Sequence, residues 1–421
     1  MKKIITIVAI LIAICTSCRK EADYMPYIGE NGKLAYSTYT EQFEYLWKAL
    51  STGYVFWDVD TTDWDAMYER YLPEFQKLDK KYEQVGYIHI AELKQLYSKI
   101  VGGMTDHHMI FAVRNLHPAP DDEFIDLAVI PSKLEFITRD YYIEMPSDES
   151  AGIQDFLQSI ESQYSVETHE SCTVYVSEEG RDVTYHYILF KLPDGRKIPY
   201  LWQSSAQITP VMHQNDEGTQ LLDHYFKAIV ETPRSQLAGI ILDNRGNGGG
   251  YQDDLDYLIG IYLNARTEIL KTRYKEGPGR LEHSAWVPYY IDPNKKYHRD
   301  ITAENIPYVI ICDINSASMG EIEPMTIKAV LPTSHTVGER TFGATGPLQP
   351  TESIDLHFGG PFGNASMENG HYIYTSSFEA QFGGNIWEGI GYTPDEIVLR
   401  KDYNGDFKPQ LDAAINFIRN H

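Results

Sequence analysis

The chain has 421 residues, with 60 acidic against 36 basic side chains and a formal charge of −24. That balance excludes a nucleic-acid-binding protein, which needs clustered Lys and Arg to neutralise phosphates, and it excludes membrane attachment through a basic patch. Hydrophobic residues at 43% and aromatics at 13% suit a globular protein, and the length exceeds what one compact core usually takes.

The N-terminus reads as an export signal. Met1-Lys2-Lys3 is basic, and the apolar run from Ile4 to Cys15 is about a dozen residues, short of the ~20 a spanning helix needs. Thr16-Ser17-Cys18 follows, with Cys15 where Leu is usual, and Arg19-Lys20-Glu21 ends the apolar run abruptly. Residues 1–18 are expected to be a lipoprotein signal, Cys18 the lipidated residue and 19–35 a polar tether. The membrane link then comes from acyl chains, at ~0.8 kcal/mol for each buried methylene, and the protein is placed on the extracytoplasmic side of a bacterial envelope. Of the four cysteines only Cys172 and Cys312 lie beyond the signal, and their strand-like surroundings read as free buried thiols, though a disulfide stays open.

Residues 36–123 read as helical. Phe43, Leu46, Trp47 and Leu50 recur at three- and four-residue spacing, as do Trp64, Met67, Tyr68 and Tyr71, with Asp63 or Thr62 as a cap for the second helix. A third helix is expected over Ile90–Val101. Residues 124–206 are rich in β-branched and aromatic residues, as in LEFITRDYYIEM and VTYHYILFKL, with turns at Glu179-Gly180 and Asp194-Gly195 and a short helix over Ala151–Tyr164. From 207 to 421 helices alternate with buried strands. A helix near 219–231, the strand LAGIILD, the loop NRGNGGG, a helix from about Asp253, the strand IPYVIICD and a helix after NSASMGE imply a largely parallel sheet covered on both faces.

Three segments carry candidate chemistry. The glycine loop Gly246-Asn247-Gly248-Gly249-Gly250 follows a buried strand, where its N–H groups can hold an anion or oxyanion. It lacks the Lys-Ser/Thr of a phosphate loop, since Tyr251-Gln252 stand there, and it breaks the dinucleotide pattern at Tyr251. Ser318 lies at the start of a helix, as either a simple N-cap or a nucleophile with the Met319 N–H as oxyanion donor. Asp106-His107-His108 supplies a candidate base. Adjacent strand histidines would face opposite ways and no spaced ligand pair accompanies them, so one catalytic or one structural histidine fits better than a metal pair.

Together these segments resemble the C-terminal-processing/tricorn-core serine peptidase family, from about Tyr39 to Asp395. FEYLWKALSTGYVFWDVDTTDWDAMYERY resembles its opening helices, ILDNRGNGGG its glycine loop, NSASMGE with VGERTFG its nucleophile segment, and WEGIGYTPDEIV its closing motif. The resemblance implies an α/β fold: a helical N-terminal region, a β-rich insert at 124–206 where relatives carry a PDZ-like domain, and a crotonase/ClpP-like core at 207–421. One branch of the family uses a Ser-Lys dyad, but Ala344 stands at the lysine position. The tricorn-like branch implies Ser318 as nucleophile, His108 as base and Glu388 as its partner, with His107 replacing a supporting serine. Met319 and Gly249 would be the oxyanion donors, with Gly248 beside them. The implied reaction is hydrolysis of a peptide or protein substrate through an acyl-enzyme, with no cofactor or metal and a base titrating near ~6–7. The alternative is a non-catalytic binder of an apolar or sugar ligand, because retinoid-binding modules share the fold.

Overall fold

Spacing of apolar residues alone accounts for the first helices. α1 (Tyr39–Gly53), α2 (Trp64–Val85) and α3 (Ile90–Val101) bury their aromatic stripes against one another, with Phe43 stacked on Phe75 at 4.6 Å between ring centroids. Asp63 caps α2 by accepting the Ala66 N–H at 3.0 Å, and Thr38 with Glu41 forms a reciprocal capping box on α1. The indoles of Trp47 and Trp64 each donate to the other residue's carbonyl, at 2.9 and 3.0 Å, so their buried N–H groups are satisfied where the helices meet. β1 (Ile110–Arg114) follows and pairs antiparallel with β2 (Asp126–Val129).

The computed structural model describes residues 37–122, 126–129, 146–177, 180–348, 360–362 and 371–421. The signal, Cys18, the 19–35 tether, the LEFITRDYYIEM strand and Glu179 of the expected turn lie outside the described residues.

α4 (Pro146–Gln158) leads into a mixed sheet. β3 (Val166–Val176), β4 (Arg181–Lys191) and β5 (Lys197–Gln203) form an antiparallel meander, and β5 continues parallel into β6 (Ile240–Asp243). β9 (Tyr308–Cys312), β10 (Ser334–Gly338) and β14 (Glu396–Ile397) extend the parallel part, giving the order β14-β10-β9-β6-β5-β4-β3. The strands β6 and β9 are buried throughout because helices cover both faces. On one face lie α6 (Glu217–Glu231) and α8 (Met319–Val330), on the other α4 and α9 (Lys408–Asn420). The boundary expected at 206/207 therefore does not separate two units. Tyr200, Leu201 and Trp202 pair in register with Ile241, Leu242 and Asp243, so the strands of the expected insert complete the core sheet.

A second departure concerns the helix expected from Asp253. Only the single-turn α7 (Leu255–Leu258) forms there, flanked by 3₁₀ turns at Gln252–Asp254 and Gly260–Tyr262. The Asp254 carboxylate is turned back onto the N–H groups of Ile208 and Thr209, at 2.8 and 2.7 Å, where it caps α5 (Ile208–Gln214). A hairpin of β7 (Thr267–Tyr274) and β8 (Val287–Ile291) pairs with β13 (Phe378–Gln381) as a separate three-stranded sheet. β11 (Gly360–Phe362) and β12 (His371–Thr375) join β1 and β2 in a four-stranded one. Cys172 and Cys312 are unbridged thiols.

One buried ion pair holds the end of β6. Arg245 Nε lies 2.9 Å from Asp243 Oδ1, and its Nη1 donates to Phe407 O at 2.7 Å and Gln410 Oε1 at 3.1 Å. Both side chains are fully buried, and Tyr200 donates to the other Asp243 oxygen at 2.7 Å. Removing one partner strands the other charge away from water, so Arg245→Ala is expected to cost ~3–5 kcal/mol, measured as a shift in the urea unfolding midpoint at constant slope.

Candidate functional site

The loops after β6 and β9 are joined by hydrogen bonds between named atoms. Asp313 Oδ1 accepts from the Gly246 N–H at 3.1 Å and the Ser316 N–H at 3.0 Å, and Ser316 Oγ donates to Asn244 O at 2.7 Å. The Ala317 N–H donates to Asn247 O at 3.0 Å, and Asn244 Nδ2 reaches Gly320 O at 3.1 Å. The approach is so close that a Cβ on Gly320 would stand 2.0 Å from Asn247 O, which is why glycine follows Met319. The two loops therefore behave as one rigid unit at the C-terminal ends of the parallel strands.

Ser318 sits at the N-terminus of α8 with φ 52° and ψ −124°. That left-handed conformation costs a non-glycine residue roughly 1–3 kcal/mol and persists only where surrounding structure imposes it. Its side chain makes no capping hydrogen bond, so the N-cap alternative does not describe it. Instead Ser318 is held by its own backbone, whose N–H donates to Ala344 O at 3.1 Å. A Cβ built on Gly249 would stand 2.9 Å from Ser318 Oγ and 3.1 Å from the Met319 nitrogen, so the glycine loop lies directly against the hydroxyl.

The expected oxyanion donors separate at this point. The Gly249 N–H is taken by Asn247 Oδ1 at 2.9 Å. Gly248 is exposed, nothing stands within 4 Å of where its Cβ would be, and its N–H has no acceptor among the described residues. The Met319 N–H opens α8, where the first amides of a helix have no intrahelical acceptor.

Thr341 to Gly346 runs between the serine and the histidines. Glu321, one turn into α8, accepts from the Ala344 N–H at 2.6 Å, the Gly343 N–H at 3.0 Å and Thr341 Oγ1 at 2.7 Å. Glu388 Oε2 accepts from the Thr345 and Gly346 N–H groups at 2.6 and 2.7 Å, while its Oε1 accepts the His107 N–H at 2.8 Å. His107 Nδ1–H donates to Phe342 O at 3.0 Å. Asp106 Oδ1 accepts the His108 N–H at 2.9 Å, and its Oδ2 accepts the Ser376 N–H at 2.7 Å. A carboxylate oxygen each of Asp106 and Glu388 and a ring nitrogen of His108 all lie within 4.8 Å of one another.

His108 and Glu388 thus stand together, and the Thr341–Gly346 segment links them to Ser318. Ser318 Oγ has no hydrogen-bond partner among the described residues, His108 included. His108 Nδ1 is enclosed and likewise unbonded. Burial, and secondarily the adjacent His107, lowers the His108 pKa to about 4, so the ring is neutral at pH 7 and able to accept a proton. Burial and then the nearby Asp106 charge push Glu388 well above the carboxylate range, against the N–H donors of His107 and Gly346. Asp106 is pushed up to about 6, mainly by burial.

Among the described residues, two three-residue groups have the ligand types of a metal site. In Asp106-His108-Glu388 both carboxylates are already occupied by N–H and O–H donors, and in Asp58-His283-Glu379 the Arg273 guanidinium already bridges the two carboxylates. Glu321, Asn247 and Ser376 were not singled out from sequence. Glu321 was visible as the last residue of NSASMGE, but its role depends on where Thr341–Gly346 passes. Ser376 carries no motif at all.

The sequence profile of Peptidase family S41 matches residues 210–398. Among solved structures the chain is similar to a candidate peptidase from Parabacteroides merdae, at 19% identity and a TM-score of 0.60, over 91% of this chain and 97% of that one. It is also similar to mature CPAF complexed with lactacystin, at 14% identity and a TM-score of 0.55, over 91% and 99% of the respective chains. These likenesses establish a shared fold. No curated protein matches the chain significantly.

Glycine adopts the Ser318 backbone conformation without the Cβ clash. Ser318→Gly is therefore expected to raise stability by ~1 kcal/mol, the relieved strain less the added chain entropy, read as a higher urea midpoint.

Proposed function

Because the chain carries a peptidase family S41 domain and is a serine-type peptidase, we propose that it hydrolyses extracytoplasmic peptides or proteins through an acyl-enzyme on Ser318, in the manner of the tricorn-like branch. The observation that carries this reading is the strained backbone of Ser318, at φ 52° with no capping bond and packed against the glycine loop. A binding protein would have no use for strain at a hydroxyl, and strain of this kind collects at reacting groups.

In the proposed mechanism Ser318 Oγ attacks the scissile carbonyl carbon as neutral His108 takes its proton. The carbonyl π electrons move onto oxygen, and the Met319 and Gly248 N–H groups bind the resulting oxyanion. Gly248 replaces Gly249 in that role because the Gly249 amide is committed to Asn247. Each such donor contributes ~2.7–4 kcal/mol to the transition state. As the intermediate collapses, the C–N bond breaks and His108 passes its proton to the leaving amine. Water, deprotonated by His108, then hydrolyses the ester and restores Ser318. Glu388, with a carboxyl oxygen within 4.8 Å of a His108 ring nitrogen, stands where it can orient the imidazole. The Ser318–His108 hydrogen bond is expected to close when substrate docks, since catalytic hydrogen bonds are often long before binding. With Ala344 at the lysine position of the dyad branch, histidine is the base that this segment leaves available.

A fluorophosphonate should label the protein at Ser318, and Ser318→Ala should lose both labelling and proteolysis. Since the base form of His108 is lost only as pH falls through its lowered pKa, the labelling rate should hold from pH 8 to about 6 and decline toward pH 4. A midpoint above 7, or labelling that survives Ser318→Ala, would overturn the assignment.

The extracytoplasmic placement rests on the N-terminal sequence, and no helix among the described residues is long and apolar enough to cross a membrane. Lipidation at Cys18 would provide the anchor. Cys18→Ala should move the protein from the membrane to the soluble fraction on cell fractionation, and retention in the membrane would refute the anchor.

A further inference from the structure

Asn247 is fully buried in the glycine loop and contacts the nucleophile loop at several points. Its N–H donates to Asn244 O at 3.1 Å, its carbonyl accepts from Ala317 at 3.0 Å, and its side-chain Oδ1 accepts the Gly249 N–H at 2.9 Å. The last bond is an Asx turn, in which an Asn side chain fixes the backbone two residues on. It coincides with Gly249 at φ +111°, and the Gly249 carbonyl is turned away to accept from Ser205 Oγ at 2.6 Å and the Ala206 N–H at 3.0 Å. Gly248, between the two ends of the turn, is left with its amide unengaged and open space beside it.

We infer that Asn247 is the positioning residue of the oxyanion hole: by capturing the Gly249 amide it makes Gly248 the donor and fixes the loop against Ser318. This rests on the peptidase reading of Ser318. The residue type fits the task. Aspartate would form the same turn but bring an anion beside a developing oxyanion, whereas the asparagine amide accepts the same hydrogen bond without charge. The accompanying cost is visible, since Asn247 Nδ2 is buried without a hydrogen-bond partner among the described residues. A residue serving only to fill the loop would not need to bury an unpaired donor.

The test compares Asn247→Ala, which removes the acceptor, with Asn247→Ser, which restores a weaker one. Asn247→Ala is expected to lower kcat by about 100-fold, the scale of losing one oxyanion donor, with KM within about threefold. Asn247→Ser should recover about tenfold of that loss through the weaker turn a hydroxyl makes. Hydrogen–deuterium exchange across 244–252 gives a readout independent of activity: the Gly249 amide should exchange faster in Asn247→Ala than in wild type or Asn247→Ser. Wild-type kcat in Asn247→Ala, no recovery in a folded Asn247→Ser, or unchanged Gly249 exchange would each overturn the proposal. If wild-type protein fails to react at Ser318, the peptidase reading falls first, and the exchange measurement alone decides whether Asn247 holds the Gly249 amide.

Discussion

The site depends on a six-residue segment, Thr341 to Gly346, held between two buried carboxylates. Glu321 binds its amides from the nucleophile helix and Glu388 binds them from the opposite side. A carboxyl group away from water is tolerated only when hydrogen bonds replace its hydration. Here the replacements are backbone N–H groups of one segment, so satisfying the carboxyl oxygens and fixing the chain are a single event. Because the Ala344 carbonyl also receives the Ser318 N–H, and Glu388 also receives the His107 N–H, the segment transmits position from the serine to the histidines.

That arrangement explains how strain at Ser318 can persist. A left-handed serine would relax if either neighbour could move. The Ser318 amide is tied to Ala344, the Ala317 amide to Asn247, and Gly320 is pressed onto the Asn247 carbonyl. Relaxing one dihedral would require the hydrogen-bonded junction of both loops to open. Stability is given up locally and maintained by the contacts around it, a division often found where side chains must be poised to react.

His108 occupies a similarly constrained place. Its backbone is fixed by Asp106, which is itself fixed by Ser376, and its ring is desolvated beside Glu388. Desolvation keeps the imidazole neutral, the form in which it can accept a proton. The buried Asp243–Arg245 pair immediately precedes the glycine loop and anchors its entry to the C-terminal helix through Phe407 and Gln410.

Much of this was legible in the chain because it is local. The helices at Tyr39–Gly53, Trp64–Val85 and Ile90–Val101 follow from apolar periodicity, the strands β6 and β9 from unbroken apolar runs, and Ser318, His108, Glu388 and the glycine loop from short motifs. Other features were not local. Joining residues 166–203 to the core sheet depends on Tyr200 finding Ile241, a pairing that no alternation pattern encodes. The helix expected after the glycine loop was shortened because Asp254 caps a distant helix. That the Gly249 amide is engaged while the Gly248 amide is not turns on one side-chain oxygen, Asn247 Oδ1, within a run of identical residues. Sequence determined which segments would form elements and which would be buried, since those follow from residue type and period. Tertiary structure decided which amide stays free, which serine is strained and which carboxylate holds which loop, because each depends on contacts between atoms far apart along the polypeptide.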